Sequence, residues 1–241
     1  MGYRYDLHCH TIEGSRCSHL SAADMVKFYQ KQGYAGFCVT DHFTGSTTVP
    51  EGTPWEERID RYFESYETAL KAAEGTGLTV FQGLEYSILR YGTRQIQTNA
   101  SITGNDFLMF GLTRQWLKAN EAAFNHGTNH LFDAVRSAGG FIIHAHPFLE
   151  DDWIQNIQLF PSRVDAVEVR NGGCPAAVNA RADWYADSYG LLKTAGTDLH
   201  TTERASVNGV ETEEKCETIH DLIAAIRAGK AKIFTMDVIA E

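Results

Sequence analysis

Short apolar runs alternate with stretches of helical periodicity along most of the chain. The first run, residues 3–9, leads into a helix that starts at Ser21 with Asp24 three residues on. That is a capping-box pattern, in which side-chain oxygens take up the free N–H groups of the first turn. Ala22, Met25, Val26 and Tyr29 fall on one face and Gly33 stops it. A strand over residues 36–40 comes next. Trp55, Ile59, Tyr62, Phe63, Tyr66 and Leu70 then recur at helical spacing, so they predict a core-facing stripe and not a ligand box.

Further strands are expected over residues 78–84 and 107–112, a helix over 130–138, apolar runs at 141–143 and 164–169, a helix over 176–189 and a run at 191–196. Thr218 with Asp221 caps a last helix, whose Ile219, Leu222, Ile223 and Ile226 face inward and which Gly229 ends, before a strand over 232–236. Only residues 45–54 and 91–106 read as extended loops, and no linker or repeat divides the chain. About seven strand-and-helix units in 241 residues predict a single α/β domain over residues 1–241, built as a closed or nearly closed barrel. In such a barrel the chemistry sits at the C-terminal ends of the strands.

Composition narrows the function. Apolar residues make up 43% and charged residues 22%, the balance of a globular protein. The net charge of −10, from 21 Lys+Arg against 31 Asp+Glu, argues against a long footprint on duplex nucleic acid, which needs many cations to neutralise phosphates. No apolar run approaches the ~18 residues of a membrane span and no signal-peptide core follows Met1, so a cytoplasmic protein with no membrane partner is expected. Cys9, Cys17, Cys38, Cys174 and Cys216 are odd in number and widely spread, which predicts reduced thiols.

Where candidate ligands fall is more informative. His8 and His10, His42, Glu85, His146, and Asp198 with His200 each stand at a predicted strand end, where they would converge on one rim. In a strand, residues i and i+2 share a face, so His8 and His10 can hold one ion while Cys9 points away. So many imidazoles and carboxylates in one cleft need charge compensation, which a metal supplies.

This constellation resembles the PHP family, the polymerase and histidinol phosphatase metal-dependent phosphoesterases. The resemblance rests on Asp6-Leu7-His8-Cys9-His10-Thr11, Thr40-Asp41-His42, Gly83-Leu84-Glu85, Ala145-His146-Pro147-Phe148, Glu168-Val169-Arg170-Asn171-Gly172 and Gly196-Thr197-Asp198-Leu199-His200. It implies a distorted (β/α)7 TIM-like barrel with two or three divalent ions, for which the mixed donors favour Zn, Mn or Fe. His8, His10, Glu85 and Asp198 would hold one ion, Glu85 and His146 would share a second, and His42 with His200 would hold a third. Two positions depart from the pattern. Asp106 stands where the family usually has a His, and is kept as a ligand. In the loop after His10, Ser15 or Cys17 occupies the register of a third-site ligand, with Glu13 and His19 as alternatives.

His144 is read as a core residue or a support to the ligands, and His19, His126, His130 and His220 as surface or helix residues. The expected activity is hydrolysis of a small phosphomonoester, a nucleotide or a short oligonucleotide end by a metal-activated water, with Asp198 or His200 protonating the leaving oxygen. Arg16, Arg170 and Arg204, each just after a strand end or its motif, are candidates for phosphate contacts. Two other functions compete: amidohydrolase-type C–N hydrolysis, against which Glu85 stands where a strand Lys would bridge, and a metal-stabilised binding or regulatory module without turnover. The sequence does not fix the oligomeric state.

Overall fold

A computed structural model describes residues 2–89, 102–152, 154 and 156–239. Its elements are β1 (Tyr3–Asp6), α1 (Ala22–Lys31), β2 (Gly36–Val39), α2 (Trp55–Ala73), β3 (Thr79–Leu89), β4 (Ile102–Phe110), α3 (Arg114–Ala119), α4 (Glu121–Asn125), α5 (Thr128–Ser137), β5 (Phe141–Ala145), β6 (Ala166–Asn171), α6 (Ala176–Tyr189), β7 (Leu192–Gly196), β8 (Ser206–Thr212), α7 (Ile219–Arg227) and β9 (Lys232–Asp237). The strands form one sheet in the order β7-β6-β5-β4-β3-β2-β1-β8-β9.

The seven strands from β1 to β7 curl into a nearly closed barrel. Past β1 and β7 the two ends of the curl meet: Cys9 pairs with Leu199 in parallel register, and the His10 amide donates to the Leu199 carbonyl at 3.0 Å. This is the distorted TIM-like barrel expected, and the distortion lies at β4. It runs antiparallel to both β3 and β5, while β1-β2-β3 and β5-β6-β7 are parallel. β3 and β4 pair directly as antiparallel neighbours, and the predicted loop at 91–106 gives way to strand from Ile102. The rest of that loop lies outside the described residues. Because β4 is reversed, Asp106 sits level with Ser87 of β3 and Ala145 of β5, at the end of the barrel where the parallel strands finish.

β8 and β9 extend the sheet beyond β1 as antiparallel strands. α7, with the predicted Thr218–Asp221 capping box in place, packs Leu222, Ile223 and Ile226 in one apolar cluster with Tyr5, Phe110 and Phe141. That leaves chemistry to the other end. α2 buries Ile59, Tyr62 and Phe63 as the stripe predicts, with Trp55 and Tyr66 partly buried against them. Leu70 departs from the prediction and is 40% exposed. All five cysteines are free thiols. Among the described residues no helix is long and apolar enough to cross a membrane.

Candidate metal centre

The segment after β1 is shaped by a buried carboxylate. Asp6 accepts hydrogen bonds from the amides of His8 (3.1 Å) and Thr197 (2.9 Å) and from the Tyr29 hydroxyl (2.9 Å). His8 and His10 are thereby turned into the barrel, while Cys9 lies in the apolar layer beneath α1 with Met25, Val26 and Tyr29. Asp41, after the neighbouring strand β2, organises its own surroundings in a similar way, accepting from the Thr11 amide (2.7 Å), the Thr11 hydroxyl (2.8 Å) and the Ser15 hydroxyl (2.7 Å).

The two imidazoles meet at their Nε2 atoms, 3.0 Å apart. Asp198 Oδ1 lies 3.5 Å from His8 Nε2 and 3.3 Å from His10 Nε2. Glu85 spans the centre: Oε1 is 3.5 Å from His8 Nε2 and 3.2 Å from His146 Nε2, and Oε2 is 3.4 Å from His10 Nε2 and 2.8 Å from His42 Nδ1. The far ring nitrogens fix the tautomers. His8 Nδ1–H donates to Glu168 Oε1 at 3.0 Å. His10 Nδ1–H donates to Ser15 Oγ at 3.1 Å, because the Ser15 hydroxyl proton is already given to Asp41. Both Nε2 lone pairs therefore face one point, and only a shared proton or a cation between them makes that arrangement stable.

Electrostatics follow the geometry. Burial opposes charge on His8, but the Asp198, Glu168 and Glu85 carboxylates hold it protonated well above the ordinary imidazole range. Burial and the neighbouring His200 and His42 push His10 down to about 3. His146 is opposed by burial and raised by Glu85 to about 9. In return, against the effect of burial, the imidazoles hold the Glu85 and Asp198 carboxyls well below the usual carboxylate range. In the absence of metal, protons take the place of cations in this centre.

Three buried polar atoms show that protons do not satisfy it. His42 Nδ1 and Glu85 Oε2 are close but not aligned as a hydrogen bond, and Asp106 Oδ1 has no partner. Each such atom costs about 1–3 kcal/mol if left bare. All three residues line one cavity of about 430 Å³, together with Cys17, Ser46, Ser87, His146, Leu149, Asp198 and His200. Three groups have ligand atoms within 4.8 Å of one another: His8/His10/Asp198, His8/Glu85/His146 and His10/Cys17/His42/His200. Imidazoles mixed with carboxylates suit divalent transition ions, so the residues fit more than one such ion.

Seven of the eight predicted ligands thus come together. Asp106 lies on the cavity wall but belongs to none of the three groups, and burial raises its carboxyl, helped by the charge of Glu85. Of the arginines, Arg204 stands behind Asp198, its Nη2 donating to the Asp198 carbonyl (2.8 Å) and its Nη1 to that of Gly172 (3.2 Å). Arg16 is exposed and donates to the Gly45 carbonyl, and Arg170 donates to the carbonyl of Val169. Neither is among the residues lining the cavity. His144 is core: its ring stacks on Phe107 at 4.7 Å with Phe160 and Tyr185 edge-on, and burial lowers it to about 3.

Glu168 belongs to one of the sequence motifs, yet sequence reasoning assigns it no role. Its second oxygen accepts from the His146 amide (3.0 Å) and from Asn171 Nδ2 (2.8 Å), so one carboxylate orients two candidate ligands. The available signal was a lone acid inside the apolar run Ala166-Val167-Glu168-Val169. Gly196 makes room for this pair, since a Cβ there would lie 2.4 Å from His8 Cβ and 2.7 Å from Glu168 Oε1.

No curated protein matches the chain. Solved structures share its fold at low identity. A two-domain protein from Bacteroides vulgatus containing a predicted PHP-like metal-dependent phosphoesterase aligns at 14% identity and a TM-score of 0.66, covering 97% of this chain. The chain spans 65% of that protein's length. PsfC from Pseudomonas syringae aligns at 17% identity and a TM-score of 0.64, with 98% of this chain and 92% of that one covered. An amidohydrolase from Chromobacterium violaceum, solved with sulfate and no metal, aligns at 15% identity and a TM-score of 0.56, with 98% of each chain covered. The sequence profile of the PHP domain matches residues 6–146, the stretch that carries His8, His10, His42, Glu85, Asp106 and His146. With more than half its length matched, and the barrel and its histidine-lined rim in place, the chain belongs to the PHP domain family.

Proposed function

We propose that the chain is a metal-dependent phosphoesterase that hydrolyses a small phosphorylated substrate, a nucleotide or the end of a short oligonucleotide. The observation that carries this reading is the meeting of the buried His8 Nε2 and His10 Nε2 beside Glu85 and Asp198, the two carboxylates that line the adjoining cavity. His8, His10, Glu85 and Asp198 would hold one divalent ion, Glu85 and His146 would share a second with Asp106 on the cavity wall, and His42 with His200 would hold a third. Zn, Mn or Fe suits these donors best. Such ions supply an activated water and offset the charge that develops on phosphoryl oxygens.

The chain's own residues do the rest. Glu168 and Ser15 hold His8 and His10 in the tautomers that aim Nε2 inward. The Asp198 carboxyl is held ionised, so it suits a ligand better than an acid. His200 gives its Nδ1–H to the Asp198 carbonyl (2.9 Å) and turns Nε2 to Cys17, so solvent in the open cavity is the better source of the leaving group's proton. A cavity of about 430 Å³ is the size of a small-metabolite site, and a net charge of −10 disfavours a long polyanion. C–N hydrolysis is the second reading, because a neighbour in fold is named an amidohydrolase; no lysine stands among the described residues lining the cavity.

The test is a panel of phosphomonoesters, nucleoside bisphosphates, short oligonucleotides and N-acyl amino acids, assayed with Mn²⁺ and Zn²⁺ after chelation. Phosphate release that chelation removes and metal restores is the expected result. Amide hydrolysis, or no turnover at full metal content, overturns the proposal.

A further inference from the structure

Four side chains in the loop after His10 compete for the position that completes the His42–His200 pair, and the structure disposes of three. The Glu13 carboxylate is taken by the first turn of α1, accepting from the Ala22 amide at 3.0 and 3.2 Å. Ser15 Oγ donates to Asp41 and accepts from the His42 amide (2.9 Å) and from His10. His19 is exposed. Cys17 lines the cavity, with its Sγ 3.2 Å from His200 Nε2.

The histidines around it are also sorted. His200 Nδ1 is bound to a carbonyl oxygen, an acceptor only, so it carries the proton and Nε2 presents its lone pair to Cys17. The His10 ring stacks between His42 (4.6 Å) and His200 (4.4 Å), but its Nδ1 is held by Ser15 and its Nε2 turns to His8. That leaves His42, His200 and Cys17 as the three side chains free to serve one ion.

We infer that Cys17 is a thiolate ligand, joining His42 and His200 in a third cation site distinct in chemistry from the imidazole–carboxylate sites beside it. This rests on the metal-centre reading above. A thiolate with two imidazoles selects a soft or borderline ion such as Zn²⁺, Fe²⁺ or Co²⁺ over Mg²⁺ or Mn²⁺.

The test is the full chain, stripped of metal, reconstituted with Co²⁺ and read by absorption and metal content. Three equivalents with a near-ultraviolet sulfur-to-cobalt charge-transfer band are expected. Cys17→Ser should lose the band and one equivalent; Cys17→Asp should regain the equivalent without the band. Cys174→Ser, in the other partly exposed thiol, should leave both unchanged. Iodoacetamide labelling of Cys17, read by mass spectrometry, should be suppressed by Zn²⁺ and not by Mg²⁺. A band that survives Cys17→Ser, or three bound equivalents with no band, overturns the inference. Two equivalents with no band overturns it too while leaving the main centre intact, whereas less than one equivalent refutes the metal centre itself.

Discussion

Glu168→Gln replaces one oxygen of the carboxylate that supports the centre with an amide NH2, at nearly constant shape. The carboxylate accepts three hydrogen bonds: from His8 Nδ1 at 3.0 Å, the His146 amide at 3.0 Å and Asn171 Nδ2 at 2.8 Å. Glutamine cannot satisfy all of them. With its oxygen toward His146 and Asn171, its NH2 meets His8 Nδ1–H, and His8 must move its proton to Nε2, where a ligand lone pair is needed. With its oxygen toward His8, the NH2 meets two donors instead. Either way at least one hydrogen bond to a charged group is lost, worth about 1.5–3 kcal/mol. Supporting residues of this kind typically cost 10–100-fold in metal affinity, about 1.4–2.7 kcal/mol, which is the same range. A competitive titration against a chromophoric chelator, with circular dichroism to verify the fold, measures it. A folded Glu168→Gln protein that binds metal and turns over substrate as the wild type does would refute the tautomer argument.

Glu85→Gln should abolish turnover and lower metal content while the melting temperature of the metal-free protein changes little, since the carboxylate touches four imidazoles and no apolar core; retained turnover at full metal content would refute its bridging role. The metal-free protein should lose stability between pH 6.5 and about 9. His146 is raised from 6.5 to about 9, and His8 and His42 also upward, so their contribution is complete below 6.5 and vanishes as pH rises through the folded values. His10 and His144, pushed down, are neutral in both states across that window and add nothing. Metal-loaded protein should show no such slope in a melting series, and equal slopes would mean that the imidazoles are not the ligands. On oligonucleotides, rates should change little beyond a few nucleotides and depend weakly on salt; a steep rise with length that salt removes would reveal a nucleic-acid track.

The gathering of His8, His10, His42, Glu85, His146, Asp198 and His200 was legible because it depends on residue types at strand ends, and strand ends are marked by apolar runs breaking off. α6 was legible to the residue, with Ala176–Tyr189 both expected and observed between Pro175 and Gly190. The reversal of β4 was not, because alternation of apolar and polar positions has no direction: Asp106, Leu108 and Phe110 share a face whichever way the strand runs. β8 was missed because Asn208 and Gly209 are poor strand formers. It is held by pairing with β1 and β9, and Gly209 is required where a Cβ would lie 2.2 Å from the Tyr5 carbonyl oxygen. α3 and α4, six and five residues long, are too short to show a period.

Residues i and i+2 of a regular strand share a face, which would set His144 beside His146, and the departure from that rule here shows how the centre is built. Among the described residues, only His146 (φ 27°) and Asp198 (φ 53°) are non-glycine residues at positive φ. Such conformations cost about 1–3 kcal/mol each and persist only where surrounding contacts impose them. At His146 the imposing contact is the hydrogen bond that its backbone N–H donates to Glu168 Oε2. At Asp198 the amide donates to the His8 carbonyl at 2.9 Å, while the Asp198 carbonyl accepts from His200 and Arg204. Without the kink, regular alternation would carry the His146 ring into the aromatic layer of Phe107, Phe160 and Tyr185 where His144 lies; with it, Nε2 reaches Glu85. The two strained residues are both candidate ligands, and Glu168 and His8 constrain one of them each while bonding to one another. Backbone strain and ligand orientation are therefore set by the same few hydrogen bonds, which is why the Glu168→Gln substitution should loosen the His146 kink together with the His8 tautomer.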